Sequence, residues 1–167
     1  MPLDFDPIAE AAANWSRKKW PSIDAMTAAT SITRAHQILV GRIDAALAPL
    51  GLNFSRFEVL ALLDLTREGQ LPLGKIGDRL QVHPASVTNT VDRLERDGFV
   101  HRAPHPTDGR TTLGVITVSG RKAAADGASA LGEIDFGLAG MGQSAREQTV
   151  TSIQELRAAA GDYRDGG

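Results

Sequence analysis

A short stretch in the middle of the chain concentrates side chains that can hydrogen-bond to nucleic-acid bases. On a helix that turns 100° per residue, Val87, Val91 and Leu94 share one apolar face. Asn can pair with adenine, Arg with guanine or phosphate, and a Thr methyl group can contact the methyl group of thymine. A helix that enters the major groove needs such a polar face. The candidate DNA-contacting residues, outward or flanking on this helix, are Ser86, Thr88, Asn89, Thr90 and Arg93.

The same polarity is also typical of a solvated helix face, so the neighbouring segments decide between the two interpretations. A short helix and a turn precede this stretch, and a hairpin that carries Arg102 and Arg110 follows it. The face also lacks the Glu–Lys pairs at i,i+4 that surface helices commonly carry. We therefore favour a DNA-reading helix that begins at His83, and we expect His83 to contact a phosphate. Arg110 is expected to contact DNA from the hairpin.

Other chemistries find little support in the residue types. The chain has no cysteine, which excludes disulfides, thiol nucleophiles and thiolate zinc sites. No nucleophile–base pair, phosphate-binding loop or pair of catalytic carboxylates is recognisable, so we expect no enzymatic activity and no cofactor. His101 and His105 flank the hairpin bend, but no third ligand has suitable spacing, so no metal site is predicted.

The distribution of charge is more informative than its total. The net charge is −2. Residues 83–122 carry six basic and four acidic side chains, whereas residues 123–167 carry three and seven. A local basic face is what matters for phosphate contact. No apolar run reaches the roughly 18 residues of a membrane span, and the N-terminus lacks the features of a signal peptide, so we expect a cytoplasmic protein without a membrane partner.

The spacing of apolar residues predicts a mainly α fold with a small β-wing. Intervals of three and four residues indicate helices, and the pattern becomes strand-like around a turn at 104–109. Two short helices joined by a tight turn and followed by a hairpin make a winged helix-turn-helix. The predicted helices cover 7–19, 23–48, 53–69, 74–81, 84–97, 118–138 and 144–160, the last opened by Ser144 and Glu147 in capping-box spacing, and the predicted strands cover 71–73, 99–102 and 111–117.

Helices at both ends of the chain predict a dimer. Their apolar stripes have no partner within the winged module, and pairing with the same helices of a second subunit would cover them. The predicted organisation is an N-terminal extension with a long dimerisation helix (1–50), a winged helix-turn-helix (51–117) and C-terminal dimerisation helices (118–167).

Several motifs together resemble the MarR family. Pro84–Val100, with the sequence PASVTNTVDRLERDGFV, looks like the recognition helix of that family, and Asp108 and Arg110 match the Asp-x-Arg of its wing. Residues 116–121 are similar to the start of its next helix, and residues 51–60 to its second core helix. The resemblance implies a two-fold dimer with one recognition helix per subunit in successive major grooves. It also implies that Arg110 reaches the minor groove.

The N-terminal helix resembles the extension of the urate-responsive branch of the family. That branch uses a Trp in the extra helix, an Asp in the next core helix, an Arg in the recognition helix and an Arg in the wing strand. Trp15 and Arg102 match this set, whereas Glu58 stands at the Asp position and Thr90 at the recognition-helix Arg. Alternatively, Trp15 and Trp20 only pack the extension onto the dimer.

The predicted ligand-binding residues are Trp15, His36, Glu58 and Arg102. Arg34 lies near His36 on the long helix, and the alternative for His36 is that it only packs within that helix.

The function expected is a sequence-specific transcription regulator, a repressor that binds a palindromic operator as a dimer. A small aromatic or anionic effector would release it from double-stranded DNA. The alternative is a winged-helix module that binds protein and not DNA; an exposed Arg/Asn/Ser face argues against it, because protein interfaces favour aromatic anchors.

Overall fold

The computed structural model describes residues 3–163, which form seven α-helices and three β-strands and divide into two compact units after Gly137. Short 3₁₀ turns follow two of the helices, at Ala48–Leu50 and Asp135–Gly137. The helices are α1 (Pro7–Arg17), α2 (Ile23–Leu47), α3 (Phe54–Asp64), α4 (Leu73–Leu80), α5 (Pro84–Arg96), α6 (Val118–Glu133) and α7 (Gln143–Ala159), and the strands are β1 (Gln70–Pro72), β2 (Val100–Pro104) and β3 (Thr112–Ile116).

The core of the first unit lies where the end of α2 meets α3, α5, α6 and the sheet. Leu47, Leu60, Leu63, Leu94 and Leu131 are completely buried there. Burying a leucine side chain contributes about 1.5–3 kcal/mol relative to leaving it exposed. These contacts fix α5 from behind, so that its opposite face is left to the outside.

The sheet is small and antiparallel, with strand order β1-β3-β2. The predicted hairpin is confirmed as β2 and β3, in a register that places Val100 opposite Ile116. The predicted edge strand is also present, one residue earlier than expected, because Leu73 already begins α4. Pro72 lacks a backbone N–H, which an edge strand tolerates. The mainly α fold with a β-wing is therefore confirmed as a winged helix-turn-helix.

The turn between α4 and α5 depends on one glycine. Gln81 follows α4 with φ of 53°, in the left-handed region. A Cβ at Gly77 would lie 3.2 Å from the carbonyl oxygen of Val82 and 3.3 Å from Cγ2 of Val87. Only a residue without a side chain allows the two helices this close approach without displacing a neighbour.

Several helix ends differ from the sequence predictions, and α1 ends at Arg17 and not at residue 19. Helix α3 ends at Asp64 and not at Gly69, because a turn closed by Thr66 Oγ1 on the carbonyl of Leu63 (2.7 Å) leads into β1. Helix α6 ends at Glu133, where a 3₁₀ turn with a left-handed Phe136 replaces the last predicted residues.

A further difference is at the start of α7. The predicted capping box of Ser144 and Glu147 is wrong, because Gly142 is the N-cap and Ser144 already lies inside the helix. The side-chain amide of Gln143 donates to Glu147 instead, at 2.9 Å.

Helices α1 and α2 leave much apolar surface uncovered in one chain. Of the predicted stripe on α2, only Ile43 and Leu47 are buried, and Ile32 is 42% exposed. Helix α1 packs on α2. Trp15 lies edge-on to Trp20 with ring centroids 4.8 Å apart, and its indole N–H donates to the carbonyl of Pro21 at 2.8 Å.

The second unit begins at Leu138 and is built around α7. The guanidinium of Arg146 donates to the carbonyls of Met141 and Leu138, at 2.8 and 3.3 Å. Val150 and Leu156 on α7 are more than half exposed. Within residues 3–163, no single helix has the length and apolarity to cross a bilayer; Ile23–Leu50 and Phe54–Asp64 meet that test only together, as a pair bent by 74°.

Candidate nucleic-acid interface

Helix α5 presents the predicted polar face outward. Val87, Val91 and Leu94 are buried, which confirms the predicted core face. The five candidate base-contacting residues lie on the other sides of the helix: Ser86, Thr88, Asn89 and Arg93 are exposed and Thr90 is half-buried. Small and flexible polar side chains on this face allow the backbone of α5 to approach the major groove of DNA closely. Whether they contact DNA stays a prediction.

The start of α5 is fixed by its own residues. His83 is the N-cap, and its ring Nδ1 accepts the backbone N–H of Ala85 at 3.2 Å. Pro84 occupies the first helical position, where its missing N–H costs nothing. The Thr88 hydroxyl donates to the carbonyl of Pro84 at 3.1 Å. His83 therefore stands at the helix start as predicted, with one ring nitrogen engaged by the backbone.

Arg102 on β2 is held by two acidic side chains of α5. Its guanidinium pairs with Asp92 at 2.6 Å and with Glu95, and its backbone N–H donates to Glu95 Oε1 at 2.9 Å. Partial burial alone would lower the pKa of Arg102, but hydrogen bonds and attraction from Asp92 and Glu95 outweigh it and raise the pKa above its ordinary value. Asp92 and Glu95 were not singled out from the sequence, although they are the acidic residues of an otherwise basic helix surface.

The tip of the wing is shaped by Asp108. Its carboxylate accepts the backbone N–H of Arg110 at 3.0 Å and the hydroxyl of Thr111 at 2.7 Å. These two hydrogen bonds hold the pKa of the Asp108 carboxyl below its ordinary value, with a smaller contribution from His105. The turn presents Arg110 to solvent while its backbone is fixed.

A cleft of about 520 Å³ separates the wing from the start of α4. Lys75, His105 and Arg110 are among the residues that line it, together with Thr111 and Thr112. Lys75 was not among the residues predicted from the sequence, because nothing in its spacing links it to the wing. Within residues 3–163, the side chains of Arg93, Arg96 and Arg110 form no ion pair with the protein. Cations left without an acidic partner are available to phosphates.

The predicted ligand-binding residues are only partly brought together. Glu58 on α3 lies close enough to His36 on α2 for their charges to interact; burial raises the pKa of Glu58, and His36 lowers it by a smaller amount. Trp15 contacts Trp20 and Pro21 at the α1–α2 corner, and Arg102 contacts α5. A groove of about 390 Å³ between α1 and α2 includes Arg34 in its lining. Among the described residues, no group of three His, Asp or Glu side chains is arranged to hold a metal ion.

This fold and this outward helix define a winged DNA-binding regulator, and comparisons with known proteins agree. The model of the MarR family matches residues 54–112, from α3 to the start of β3. Sco5413, a MarR family transcriptional regulator from Streptomyces coelicolor, is 45% identical, with a TM-score of 0.80 over 86% of this chain and 100% of that one. The chain belongs to the MarR family of transcriptional regulators. This confirms the resemblance, and such regulators are not enzymes.

Two further known proteins extend the comparison. The HTH-type transcriptional regulator MhqR of Bacillus subtilis is 35% identical over 89 residues, which make up 53% of this chain and 60% of MhqR. The match therefore spans less than two thirds of that relative. Sco3205 of Streptomyces coelicolor, a MarR family regulator solved in complex with DNA, has a TM-score of 0.70 over 84% of this chain and 89% of its own. Its 18% identity shows a shared fold alone.

Proposed function

We propose that this regulator binds a palindromic operator as a homodimer, represses transcription from it, and is released by a small aromatic or anionic effector. One observation carries the DNA-binding part of the proposal. The outward face of α5 holds Asn89 and Arg93, neither of them tied to an acidic partner within the described chain, while the opposite face is anchored in the core. A rigid helix with unpaired donors on its exposed side suits the major groove.

The wing supplies the second contact. Arg110 projects from a turn whose backbone is fixed by Asp108, and an arginine on such a tip suits the narrow minor groove beside the site that α5 would occupy. Lys75, which also pairs with Asp78 at 3.8 Å, and His105 line the cleft between, where a phosphate would pass. Phosphate contacts of this kind set the register of the protein on the duplex. That Sco3205 was solved with DNA supports this arrangement for the shared fold.

The homodimer is supported by apolar surface that one chain leaves open. Ile23, Ile32 and Ile38 on α2 are between 38% and 46% exposed. Large apolar side chains left exposed along one helix mark an interaction surface. Two copies joined there through a two-fold axis would place two α5 helices on one side of the duplex, which requires an operator with inverted half-sites.

The effector is proposed to use His36, Glu58 and Arg102 near the junction of α2, α3 and the wing, and also Trp15, which lies apart from them at the corner between α1 and α2. The proximity of His36 and Glu58 supports this part of the set. Arg102 is engaged with Asp92 and Glu95, so an anionic effector that took up Arg102 would have to compete with two carboxylates of the recognition helix. Such competition would link effector binding to α5, because a ligand shifts an equilibrium only by its preference for one state. We also propose that the protein acts in the cytoplasm, because a regulator that binds DNA works where the DNA is.

Selection from a library of random duplexes tests the proposal, because the selection requires no assumption about the operator sequence. The purified full-length protein should enrich a sequence with two inverted half-sites, about 10 bp from centre to centre. No enrichment would overturn sequence-specific DNA binding. Enrichment of a single half-site would overturn the two-fold arrangement. Repression is then tested by placing the enriched sequence in a reporter promoter, where expression should fall in the presence of the protein.

A further inference from the structure

The recognition helix carries two carboxylates on one flank of its DNA-reading face, Asp92 at the border of the face and Glu95 about 120° from Asn89. Asp92 immediately precedes Arg93, and Glu95 lies one turn from Val91. At 100° per residue, Asp92 is about 60° from Asn89 around the helix, so it borders the exposed polar face. Both carboxylates are partly exposed, at 47% for the Asp92 side chain and 39% for Glu95. Helix α5 therefore carries negative charge along the edge that Asp92 and Glu95 form.

Such charges work against DNA binding. Double-stranded DNA carries one negative charge per roughly 1.7 Å of its axis. The Debye length at physiological salt is about 8 Å, so a carboxylate at the edge of a groove-inserted helix lies within reach of several phosphates. Without a cationic partner, Asp92 and Glu95 would repel the DNA phosphates that Arg93 and Arg96 attract.

Arg102 lies where it can cancel this repulsion. Its guanidinium meets Asp92 Oδ1 at 2.6 Å and Glu95 Oε2, and its own side chain is only 25% exposed. The Nη2 atom that meets Asp92 also donates to the carbonyl of Thr88, at 3.5 Å. Thr88, Asp92 and Glu95 lie at i, i+4 and i+7, which places all three partners on one stripe of α5. Within residues 3–163, the side-chain hydrogen bonds of Arg102 are all to the recognition helix.

We propose that Arg102 contributes to DNA binding through Asp92 and Glu95, as a positioning and charge-neutralising residue, and not by touching DNA. The bidentate arginine fixes the two carboxylates against β2 and reduces their net charge at the edge of the reading helix from −2 to −1. An arginine suits this role better than a lysine, because its planar fork can meet two carboxylates at once. This inference rests on the proposed DNA-binding function and adds a residue that acts from outside the base-contacting set.

An arginine at this place could have two other roles, and each role predicts a different effect of replacing Arg102. A phosphate-contacting arginine would lose affinity on substitution whatever stands at positions 92 and 95. An arginine that serves only the effector would leave operator binding unchanged when replaced. If the arginine acts through Asp92 and Glu95, the loss of affinity on its replacement depends on the presence of those two carboxylates.

A mutant cycle on the full-length protein tests this dependence. Operator affinity is measured by fluorescence anisotropy on the duplex obtained by selection, for the wild type, Arg102→Gln, the pair Asp92→Asn/Glu95→Gln, and all three changes together. Arg102→Gln should weaken binding by about tenfold, because two partly exposed carboxylates near the phosphates are then left without their cation. Asp92→Asn/Glu95→Gln, which keeps Arg102, should bind severalfold more tightly than the wild type. The triple variant should bind within about threefold of Asp92→Asn/Glu95→Gln.

The outcomes are distinct. A full tenfold loss from Arg102→Gln in the Asp92→Asn/Glu95→Gln background would overturn the proposal in favour of direct phosphate contact. Unchanged binding by Arg102→Gln would overturn it in favour of a role outside DNA binding. Arg102→Lys, which keeps one charge, should give an intermediate loss. If Arg102→Gln does not fold, Asp92→Asn/Glu95→Gln decides alone, since weaker binding by that variant contradicts the proposal. Failure of the wild type to bind any selected duplex would instead contradict the proposed function.

Discussion

The carboxylate of Asp108 holds the backbone N–H of Arg110 at 3.0 Å, so the residue that shapes the wing stands two positions from the cation that the wing presents. The same carboxylate also accepts the Thr111 hydroxyl. Both hydrogen bonds are local, which explains why an exposed turn can be specified by a single side chain. The conformation of the turn and the position of Arg110 therefore both depend on Asp108.

Asp108→Ala should consequently weaken operator binding by much the same factor as Arg110→Ala. Each change should cost about 1 kcal/mol or more, because one removes the contact and the other removes the turn that directs it. In the doubly substituted protein the losses should not add, as expected for residues that act as one unit. Anisotropy titrations of the three variants would decide this. Fully additive losses would show that Asp108 does not position Arg110.

Replacement of the outward residues of α5 should have a different signature from replacement of Arg110. Asn89→Ala and Arg93→Ala should each cost roughly 1–3 kcal/mol and relax the preference at one base position, because they are assigned to base edges. Arg110→Ala should weaken binding to most sequences and reduce the slope of affinity against salt by about one unit per subunit. Repeating the selection with each variant, together with salt titrations, separates the two effects. An equal loss without any change in sequence preference would contradict the assignment of Asn89 and Arg93.

The dimer should depend on the exposed isoleucines of α2. Light scattering on the wild type should give about twice the chain mass of 17.7 kDa. The double variant Ile32→Glu/Ile38→Glu should shift the protein towards monomer, because a buried unpaired charge is costly at an apolar contact. Leu65→Glu is the matched control, since Leu65 is 86% exposed and lies outside α2. A wild type that is monomeric at micromolar concentration would remove the basis for a palindromic operator.

Two glycines of α6 should respond in opposite ways to the same substitution. A Cβ at Gly120 would collide with the carbonyl oxygen of Phe99, whereas one at Gly132 would meet nothing within 4 Å. Gly120→Ala should therefore lower the free energy of unfolding by about 1–3 kcal/mol, because the backbone must shift to make room. Gly132→Ala should raise it by up to about 1 kcal/mol through helix propensity. Urea denaturation measures both; a Gly120→Ala protein as stable as the wild type would show that α6 can move away from the start of β2.

The raised pKa of Glu58 makes a prediction about pH. Burial favours the neutral form of this carboxyl in the folded state, so the folded protein holds its proton to higher pH than the unfolded chain does. Stability from this group is then complete below its ordinary pKa and declines as the pH rises through the raised value. Glu58→Gln, which is neutral at every pH, should raise the thermal midpoint at pH 7.5, and the gain should disappear near pH 4. A gain that is equal at both pH values would mean that ionisation of Glu58 is not its cause.

Sequence reasoning located the recognition helix because a core stripe and a polar face coincide in one segment of 13 residues. It also found the wing, since Asp108, Gly109 and Pro106 are typical turn residues. It could not find the pairing of Arg102 with Asp92 and Glu95, because contacts between a strand and a preceding helix leave no fixed spacing. It also extended α3 to Gly69, because a glycine after the last apolar residue is typical of a helix end, whereas the Thr66 hydroxyl already closes the chain into a turn.

The edge-on contact between Trp15 and Trp20 also provides an intrinsic optical signal. The chain has no other tryptophan, and two indole rings 4.8 Å apart at nearly a right angle are close enough for their excited states to couple. Such coupling gives a band of paired opposite signs in the circular dichroism spectrum, which neither indole gives alone. Because one ring belongs to α1 and the other to the corner before α2, separation of the two would erase that band. The protein thus carries an unlabelled reporter of whether its N-terminal helix stays docked while DNA or small molecules are added.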